Sequence, residues 1–488
     1  MLSITQIYLK SNAYKKHDLI MGYASENGIK QAFHQFMESL SHLSTPIPLS
    51  LQKFHSLKAD SLNKGTQAVE MLLQTDFPIT FSQSWKKMSW KSQLDFIFQQ
   101  MEENKDYFKV EYTTQIKSVG QIKHFSPKKE SELEGNTTLL VGHLPLNSFP
   151  ILVDKPLTSQ QREEFLEKNH ITLSPENRTP VPPPANFSQG ELLPQQAHSQ
   201  LNKALKTKIF YPQDLSPLEL RRALGLELID EPVPDGVYLI QDDLGLGGVF
   251  VQGDVQEMIL AIQGMYQIIS FQTKKGQWTL KFSPSERKTL FSFPGGTSTY
   301  DLVPLGIIVV NGKISSLGGG IAEASGEISL VKNNEIPCIL QGVKLSIISS
   351  DKITLSSHLI QQEAQWREGI PYLKDSTSQL MIFATGKDFL DNSSQEGEII
   401  IGKDSPQELC LHASLTSSGK GFTIEGKEKN VHLLGNLHTS NFEGKGNQLN
   451  FRFDDRALKD ETWMENTPRT SKPVLHFSSF QLRHWNEL

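Results

Sequence analysis

The chain has 488 residues, which is enough for two or three domains that each bury a hydrophobic core. Hydrophobic residues make up 37% of it and charged residues 21%, a balance that indicates a globular protein on the polar side. The net charge of −6 argues against nucleic acid as a main partner, because surfaces that bind nucleic acid are basic. Two cysteines, Cys338 and Cys410, are too few for a disulfide framework. Both lie in strand-like patterns that predict buried thiols, and whether they pair stays open.

Residues 1–45 are predicted to contain an N-terminal helix. Apolar residues recur there at three- and four-residue spacing and would form one apolar face: Ile29, Ala32 or Phe33, Phe36 or Met37, and Leu40. Residues 1–16 lack the basic start and apolar run of a signal peptide, and no stretch of the sequence is long and apolar enough to span a membrane. The first nine residues still resemble the end of an apolar helix at a membrane surface. A truncated anchor and an ordinary amphipathic helix are both open.

Residues 46–174 are predicted to form an α+β region. Within it, residues 88–102 and 158–169 have helical patterns, whereas residues 107–124 and 137–153 alternate like strands. Residues 175–234 are predicted to be a Pro-rich linker followed by short helices. One of these helices has a clear start, with Ser216 as its N-cap and Pro217 at its first position.

Residues 235–459 are predicted to be a β-rich, solenoid-like domain, because short apolar runs alternate with Gly, Asn, Asp and Ser. Similar segments recur 39 residues apart from Lys313 to Lys352 and 35 residues apart from Lys352 to Lys387. Each interval would hold about two coils of an irregular parallel β-helix. The alternative is a β-sandwich with a hairpin turn at Asn311-Gly312. Residues 460–488 are predicted to be a tail whose aromatic side chains cover one end of the stack.

The common catalytic motifs are missing from the sequence, so we predict no catalytic, cofactor-binding or metal-binding residues and no cofactor. The glycines at 245–248 and 318–320 lack the third glycine of a GxGxxG motif, and we interpret both groups as turns that need positive φ. The pairs Asp242-Asp243 and Asp454-Asp455 are interpreted as turns or solvated edges. His412 and His432 lie in separate predicted strands, which disfavours a shared metal site. The loop with Trp366, Tyr372 and Lys374 is interpreted as anchored by its aromatic residues, with a sugar-binding lip as the alternative.

Two parts of the chain resemble a known family. Residues 23–33, Tyr-Ala-Ser-Glu-Asn-Gly-Ile-Lys-Gln-Ala-Phe, are similar to the AE-x-G-x-x-x-A segment of PilX-type minor pilins and related pseudopilin-like proteins. The C-terminal half resembles a bacterial domain of unknown function found in such pilus-assembly-like proteins. The stretches that carry this second resemblance are residues 248–254, 306–320, 347–360, 411–415 and 419–426. Members of the family begin with a basic leader and an apolar helix that this sequence does not show.

The resemblance implies a non-enzymatic, pilin-like protein of the bacterial cell envelope, periplasmic or surface-exposed. It would be an accessory component of a type IV pilus or type II secretion-like assembly. Its partners would be other pilin or pseudopilin-like subunits, contacted through the N-terminal helix, and it would reach the membrane only if an anchor precedes Met1. The alternatives are a β-helix carbohydrate-binding or carbohydrate-active protein and a self-associating β-solenoid scaffold.

Overall fold

The structure, a computed structural model, is described here for most of the chain. The described residues are 24–33, 47–62, 80–85, 88–103, 106–122, 129–146, 149–155, 159–174, 185–187, 192–194, 197–207, 215–243, 245–332, 335–367, 370–372, 377–454, 456 and 468–487. The protein is mostly β, with short helices. It divides into two compact units: unit 1 comprises Met1–Leu144 with Lys472–Leu488, and unit 2 comprises Pro145–Ser471.

Unit 1 is built around a six-stranded antiparallel sheet. In chain order its strands are Ile47–Pro48 (β1), Thr80–Trp85 (β2), Met88–Glu103 (β3), Tyr107–Ile122 (β4), Lys129–Gly142 (β5) and Val474–Glu487 (β32). They lie in the order β1-β32-β5-β4-β3-β2, so the last strand of the chain pairs with β5. Residues 460–488 were expected to cover a stack of strands, but β32 is a sheet strand of unit 1, and Trp463 lies outside the described residues.

Two helices cover the same face of this sheet, the face to which the even-numbered residues of β4 point. Residues 24–33 (α1) are helical and contact the end of the sheet near Ser118. Leu51–Leu62 (α2) packs at the other end, where Phe54 stacks on Phe108 with ring centroids 5.9 Å apart. Of the predicted apolar helix face, Ile29 and Ala32 are fully buried, and Leu40 lies outside the described residues.

The helix predicted at residues 88–102 is wrong, because Met88–Glu103 is a strand. It pairs with β4 over almost its whole length, from Met88–Ile122 to Glu103–Phe108. Leu94 is buried on the face of the sheet that the helices cover. Ile97, which would lie on the same side of a helix as Leu94, is 45% exposed. The backbone of this segment forms its hydrogen bonds with β4 instead of within a helix, so its partner strand overrides the local helical pattern. The predicted strand at residues 107–124 is confirmed as β4.

Unit 2 contains two large sheets, each with 11 strands in the described part of the chain. Sheet I comprises Ile151–Val153 (β6), Ile171–Ser174 (β7), Ala185–Phe187 (β8), Gly236–Asp242 (β9), Gly245–Gln252 (β10), Ile307–Asn311 (β16), Lys344–Ser349 (β20), Gln379–Ala384 (β25), Glu408–Ser417 (β27), Asn430–Thr439 (β29) and Gln448–Phe453 (β31). Sheet II comprises Val255–Gln263 (β11), Tyr266–Thr273 (β12), Gly276–Ser283 (β13), Lys288–Phe293 (β14), Gly296–Tyr300 (β15), Ile314–Ala322 (β17), Ile328–Leu330 (β18), Ile353–Leu355 (β21), Glu398–Ile401 (β26), Gly421–Ile424 (β28) and Phe442–Glu443 (β30).

The remaining elements of unit 2 are short. Two small sheets pair Pro337–Ile339 (β19) with Ile360–Gln361 (β22), and Gln365–Arg367 (β23) with Ile370–Tyr372 (β24). The helices are Ser159–Lys168 (α3), His198–Leu205 (α4) and Pro217–Ala223 (α5). α3 and α5 were both predicted. Ser216 caps α5 as expected, in a capping box with Glu219.

From β10 onward the chain alternates between the two sheets, and successive visits to one sheet place parallel strands side by side. The similar segments that recur 39 and 35 residues apart predict this register. Val309 pairs with Ile348, Ile348 with Phe383, and Ile314 with Ile353. Each interval of 39 or 35 residues holds one passage through each sheet, so the expectation of two coils per interval is wrong. Asn311-Gly312 is a corner between the sheets rather than a hairpin turn, because β16 and β17 belong to different sheets.

The main core of unit 2 lies between the sheets, where Val310, Ile347 and Ile382 of sheet I face Leu317 and Ile401 of sheet II. A second apolar cluster covers the outer face of sheet I. There, Phe250, Ile348 and Phe383 pack with Leu201 of α4 and Leu220 of α5. Several strands of sheet I are therefore buried on both faces, which is why they read as continuous apolar runs.

Candidate functional site

In unit 1, the face of α1 that touches the sheet is made of small residues. The Gly28 carbonyl accepts a hydrogen bond from Ser92 Oγ (3.1 Å), and Ser25 Oγ lies 2.8 Å from Ser131 Oγ. Ser92 Oγ also lies 2.9 Å from Ser118 Oγ, whose hydroxyl can donate to it. A Cβ atom on Gly28 would lie only 2.2 Å from Ser118 Oγ. The helix backbone therefore approaches the sheet as closely as a glycine permits.

The residues of the resemblance motif occupy this contact face. Ala24, Ile29 and Ala32 are 1% exposed or less, and Gly28 is buried between them. Positions 24, 28 and 32 are four residues apart, so they lie on one side of a helix. Asn27 and Lys30 point away and are exposed. The motif is thus a helix-to-sheet docking face, with a polar face left outside.

In unit 2, a polar cluster lies on the outer face of sheet I. Strand β27 alternates: Leu409 and Leu411 point into the core between the sheets, so Cys410 and His412 point outward. The segment from Ser357 to Gln361 lies beside this part of β27, and Leu359 forms a parallel bridge with Leu411. Glu335, between β18 and β19, completes the cluster.

Three of these side chains bring different ligand atoms together. One ligand atom each from Glu335, His358 and Cys410 lies within 4.8 Å of the others. Cys410 Sγ donates a hydrogen bond to Glu335 Oε1 at 3.3 Å, and the Cys410 backbone N–H donates to His358 Nδ1 at 3.1 Å. His358 and Cys410 are buried, whereas Glu335 is exposed.

The electrostatics of the cluster keep the thiol protonated. Burial raises the pKa of the Cys410 thiol, and the neighbouring carboxylates of Glu335 and Glu408 raise it further. Burial lowers the pKa of His358, although the charge of Glu335 opposes that shift. A protonated thiol is a poor nucleophile, so the cluster does not have the properties of a cysteine hydrolase site.

His412 lies beside this cluster but makes different contacts. Its Nδ1 accepts the backbone N–H of Gln361 (3.4 Å), just as His358 Nδ1 accepts that of Cys410. Arg456 donates to Gln361 Oε1 (3.3 Å) and forms an ion pair with Asp454. Burial lowers the pKa of His412 to about 3, and the charge of Arg456 acts in the same direction. The two rings therefore complete the hydrogen-bond ladder between Ser357–Gln361 and β27.

The glycine run at 318–320 positions the segment that carries His358. These glycines lie inside β17 rather than in a turn, and none of them has the positive φ that the sequence interpretation required. Gly319 N–H donates to the His358 carbonyl at 2.9 Å, and a Cβ on Gly319 would lie 2.6 Å from that oxygen. The backbones can meet only because residue 319 has no side chain. In the other glycine group, Gly245 does have positive φ, whereas Gly247 and Gly248 are strand residues.

The other residues singled out in the sequence lie apart from the cluster or serve structural roles. Asp242 pairs with Lys206 (2.7 Å), and Asp455 lies outside the described residues. His432 Nε2 lies 3.0 Å from Glu408 Oε2, so His432 and His412 have different partners. The backbones of Trp366 and Tyr372 belong to the small β23–β24 sheet, and Lys374 lies outside the described residues. Cys338 and Cys410 are both buried, free thiols.

Sequence reasoning missed the Glu335, His358 and Cys410 cluster because its members are far apart in the chain and follow no ligand-spacing motif. One signal was present: alternation along 408–417 places Cys410 and His412 on the face opposite Leu409 and Leu411. No sequence rule indicated that a segment with a histidine would pair beside that part of β27.

Within the part of the chain that the structure describes, no helix combines the length and the apolar character needed to cross a membrane. No family model, no curated protein and no solved structure matches the chain.

Proposed function

We propose that the protein is a non-enzymatic, pilin-like protein of the bacterial cell envelope, an accessory component of a type IV pilus or type II secretion-like assembly. One observation carries the proposal. The residues that resemble the pilin-type motif are those that dock α1 onto an antiparallel sheet in unit 1. The resemblance implies an N-terminal helix that contacts partner subunits, and a helix held by its motif residues on one side keeps its other side available for such contacts.

The exposed side of α1 is the proposed contact surface for other pilin or pseudopilin-like subunits. Asn27 and Lys30 are exposed on it, while Ile29 is fully buried. A helix with one side fixed to its own sheet and the other in solvent can pack against a second subunit without unfolding unit 1. A periplasmic or surface-exposed location follows from this proposal.

We further infer that unit 2 is an irregular parallel β-helix and that it acts as a displayed body. The alternation of the chain between sheets I and II supports this fold, as do the parallel pairs such as Ile314–Ile353. Unit 2 is inserted between β5 and β32, which are neighbours in the sheet of unit 1. An insertion at this point leaves the helix-bearing sheet intact as a separate assembly module.

The carbohydrate-active alternative is less well supported. One corner between the sheets carries carboxylates, but Asp254 pairs with Lys313 (3.6 Å), and Glu396 pairs with Lys352 (3.2 Å) and Lys420 (2.8 Å). The two lysines lower the pKa of Glu396. A general acid in a glycosidase needs the opposite shift.

The self-associating scaffold is also less well supported, because strands at both ends of sheet I are covered or reversed. β7 adds beside β31, and Phe165 of the preceding α3 contacts Phe442 with centroids 6.3 Å apart. At the other end, β9 pairs antiparallel with β10. The helix beside one end and the reversed strand at the other disfavour the edge-to-edge pairing that a solenoid filament requires.

Site-specific photo-crosslinking in the source organism tests the pilin-like proposal. A photoreactive amino acid at the exposed Lys30 should form crosslinks to pilin-like subunits in the envelope fraction, identified by mass spectrometry. The same probe at the buried Ile29 is the matched control and should capture residues of unit 1 itself. Crosslinks at Lys30 confined to non-envelope proteins, or the absence of the protein from the envelope fraction, would overturn the proposal.

A further inference from the structure

Three side chains from separate segments of unit 2 converge on one point of the outer face of sheet I. Glu335 follows β18, His358 follows β21, and Cys410 lies within β27. Their ligand atoms lie within 4.8 Å of one another, and the closest recorded pair, Cys410 Sγ and Glu335 Oε1, is 3.3 Å apart. These residues provide one sulfur, one nitrogen and one oxygen donor.

This combination of donors and spacing matches the requirements of a zinc ion. Zinc binds thiolate sulfur at about 2.3 Å and carboxylate oxygen at about 2.0 Å. In a tetrahedral site those two ligand atoms are about 3.5 Å apart, close to the separation found here. Soft thiolate combined with imidazole disfavours magnesium and calcium, which take oxygen ligands. We propose that Glu335, His358 and Cys410 form a binding site for Zn²⁺.

Either ring nitrogen of His358 could bind the metal, at different cost. Its Nδ1 accepts the Cys410 backbone N–H at 3.1 Å. Binding through Nδ1 would break that hydrogen bond, whereas binding through Nε2 would leave it in place. In either case the metal would take up one nitrogen lone pair. It would likewise replace the thiol proton of Cys410, which passes to solvent, because the thiolate is the form that binds metal.

The surroundings of the cluster allow a metal to enter and fix its role. Glu335 is exposed, so an ion can reach the buried His358 and Cys410 from solvent past this carboxylate. Three protein ligands leave a fourth position for water. Bound there, the ion would link the segments that carry Glu335 and His358 to β27. This site does not depend on the pilin-like proposal.

The second cysteine of the chain provides a matched control. Cys338 is also a buried, free thiol, but it belongs to the core between the sheets. Its thiol has a hydrogen bond with the Ile360 backbone and is not one of the clustered ligand atoms. Cys338→Ala and Cys410→Ala therefore remove the same group from outside the proposed ligand set and from within it.

Cobalt substitution tests the proposal on the full-length protein. Co²⁺ added to metal-free protein should produce the near-ultraviolet charge-transfer band of a thiolate–cobalt bond, and Zn²⁺ should displace it stoichiometrically. Cys410→Ala should abolish the band, and His358→Ala should weaken Zn²⁺ binding by at least about 100-fold, more than the loss of a supporting outer-shell contact. Cys338→Ala should leave the band and the affinity unchanged.

The absence of a band in the unmodified protein, or its persistence in Cys410→Ala, would overturn the proposal. If the variants do not fold, X-ray absorption at the zinc edge of the unmodified, zinc-loaded protein decides the question. One sulfur at about 2.3 Å with nitrogen or oxygen ligands at about 2.0 Å supports the site. A shell without sulfur contradicts it.

Discussion

At the scale of single residues, two glycines determine where one backbone can approach another. Gly28 lets α1 contact Ser118, and Gly319 lets the His358 carbonyl approach β17. The sequence showed Gly318–Gly320 as a run but could not show what faces it, so we interpreted it as a turn. The structural role of a glycine in a strand can be assigned only when the atoms that lie next to it in space are known.

Replacing Gly28 by alanine should destabilise unit 1. The new Cβ would lie 2.2 Å from Ser118 Oγ and 2.7 Å from Trp90 Cδ1. Overpacking typically costs about 1–3 kcal/mol, more than the gain of up to about 1 kcal/mol in helix propensity. Hydrogen exchange of peptides from β3 and β4 should therefore become faster. Asn27→Ala, at an exposed position of the same helix, should leave it unchanged, and equal exchange in both variants would contradict the prediction.

Acid should destabilise unit 2 through His438. Its Nε2 donates to the Phe149 carbonyl (2.9 Å), and its Nδ1 accepts from Thr416 Oγ1 (3.1 Å). Burial lowers the pKa of His438 from 6.5 to about 4. The unfolded chain thus binds the proton first as pH falls, and stability decreases between about pH 6.5 and pH 4 by up to about 3 kcal/mol.

Chemical unfolding at several pH values checks this prediction, with His438→Gln as the comparison. Glutamine can still donate to the Phe149 carbonyl but does not titrate in this range. The variant should therefore lose less stability between pH 6.5 and pH 4 than the unmodified protein. Parallel losses in the two proteins would show that His438 is not the titrating group.

At the scale of elements, the repeat in the sequence correctly predicted the register in which strands pair. Elsewhere, local patterns were less successful at telling strands from helices. The echo from Val309 to Ile348 is the observed parallel pair, because stacked strands with the same environment select the same residues. Leu94, Ile97 and Phe98 have the spacing of a helix face, yet Met88–Glu103 is a strand. Its strand identity comes from β4, and that pairing is not encoded within the segment itself.

Gly319→Ala should loosen residues 357–361, the segment that pairs with β27. A Cβ at this position would lie 2.6 Å from the His358 carbonyl oxygen, an atom of the backbone that cannot rotate away. Hydrogen exchange should rise in the peptide that contains residues 357–361, and Co²⁺ binding should weaken with it.

Gly236→Ala is the matched substitution for this test, because the nearest atom to its Cβ is 3.4 Å away, an ordinary contact. It should leave both readouts unchanged. Unaltered exchange at residues 357–361 in Gly319→Ala would show that the close approach is not required.

At the scale of the whole molecule, alternation of apolar residues predicted the mostly β character, whereas the division into units could not be read from the sequence. Val474 pairs with Gly142, its partner hundreds of residues earlier in the chain. Local sequence patterns do not encode a contact between residues so far apart in the chain. The same is true of the Glu335, His358 and Cys410 cluster, whose members come from three different segments of unit 2.

Removal of unit 2 should leave unit 1 able to fold. Because Val474 and Gly142 are direct partners, a short Gly-Ser-Gly linker can join Leu144 to Lys472 in place of residues 145–471. The shortened protein should show an antiparallel β spectrum by circular dichroism and a cooperative thermal transition. Adding Leu475→Asp, which buries a charge at a position with no solvent exposure, should abolish that transition. A shortened protein that melts without cooperativity would contradict the prediction.

The insertion of unit 2 between β5 and β32 also determines how the protein responds to tension. Both connections leave the sheet at the same end, beside the Gly142–Val474 pair. A pull on unit 2 while α1 is held would apply force to β5 and β32 at that end. Their hydrogen bonds would then break sequentially, one pair at a time, rather than all at once in shear. Low force on unit 2 would therefore detach β32 from β5, while α1 keeps its contacts with Ser92 of β3 and Ser118 of β4.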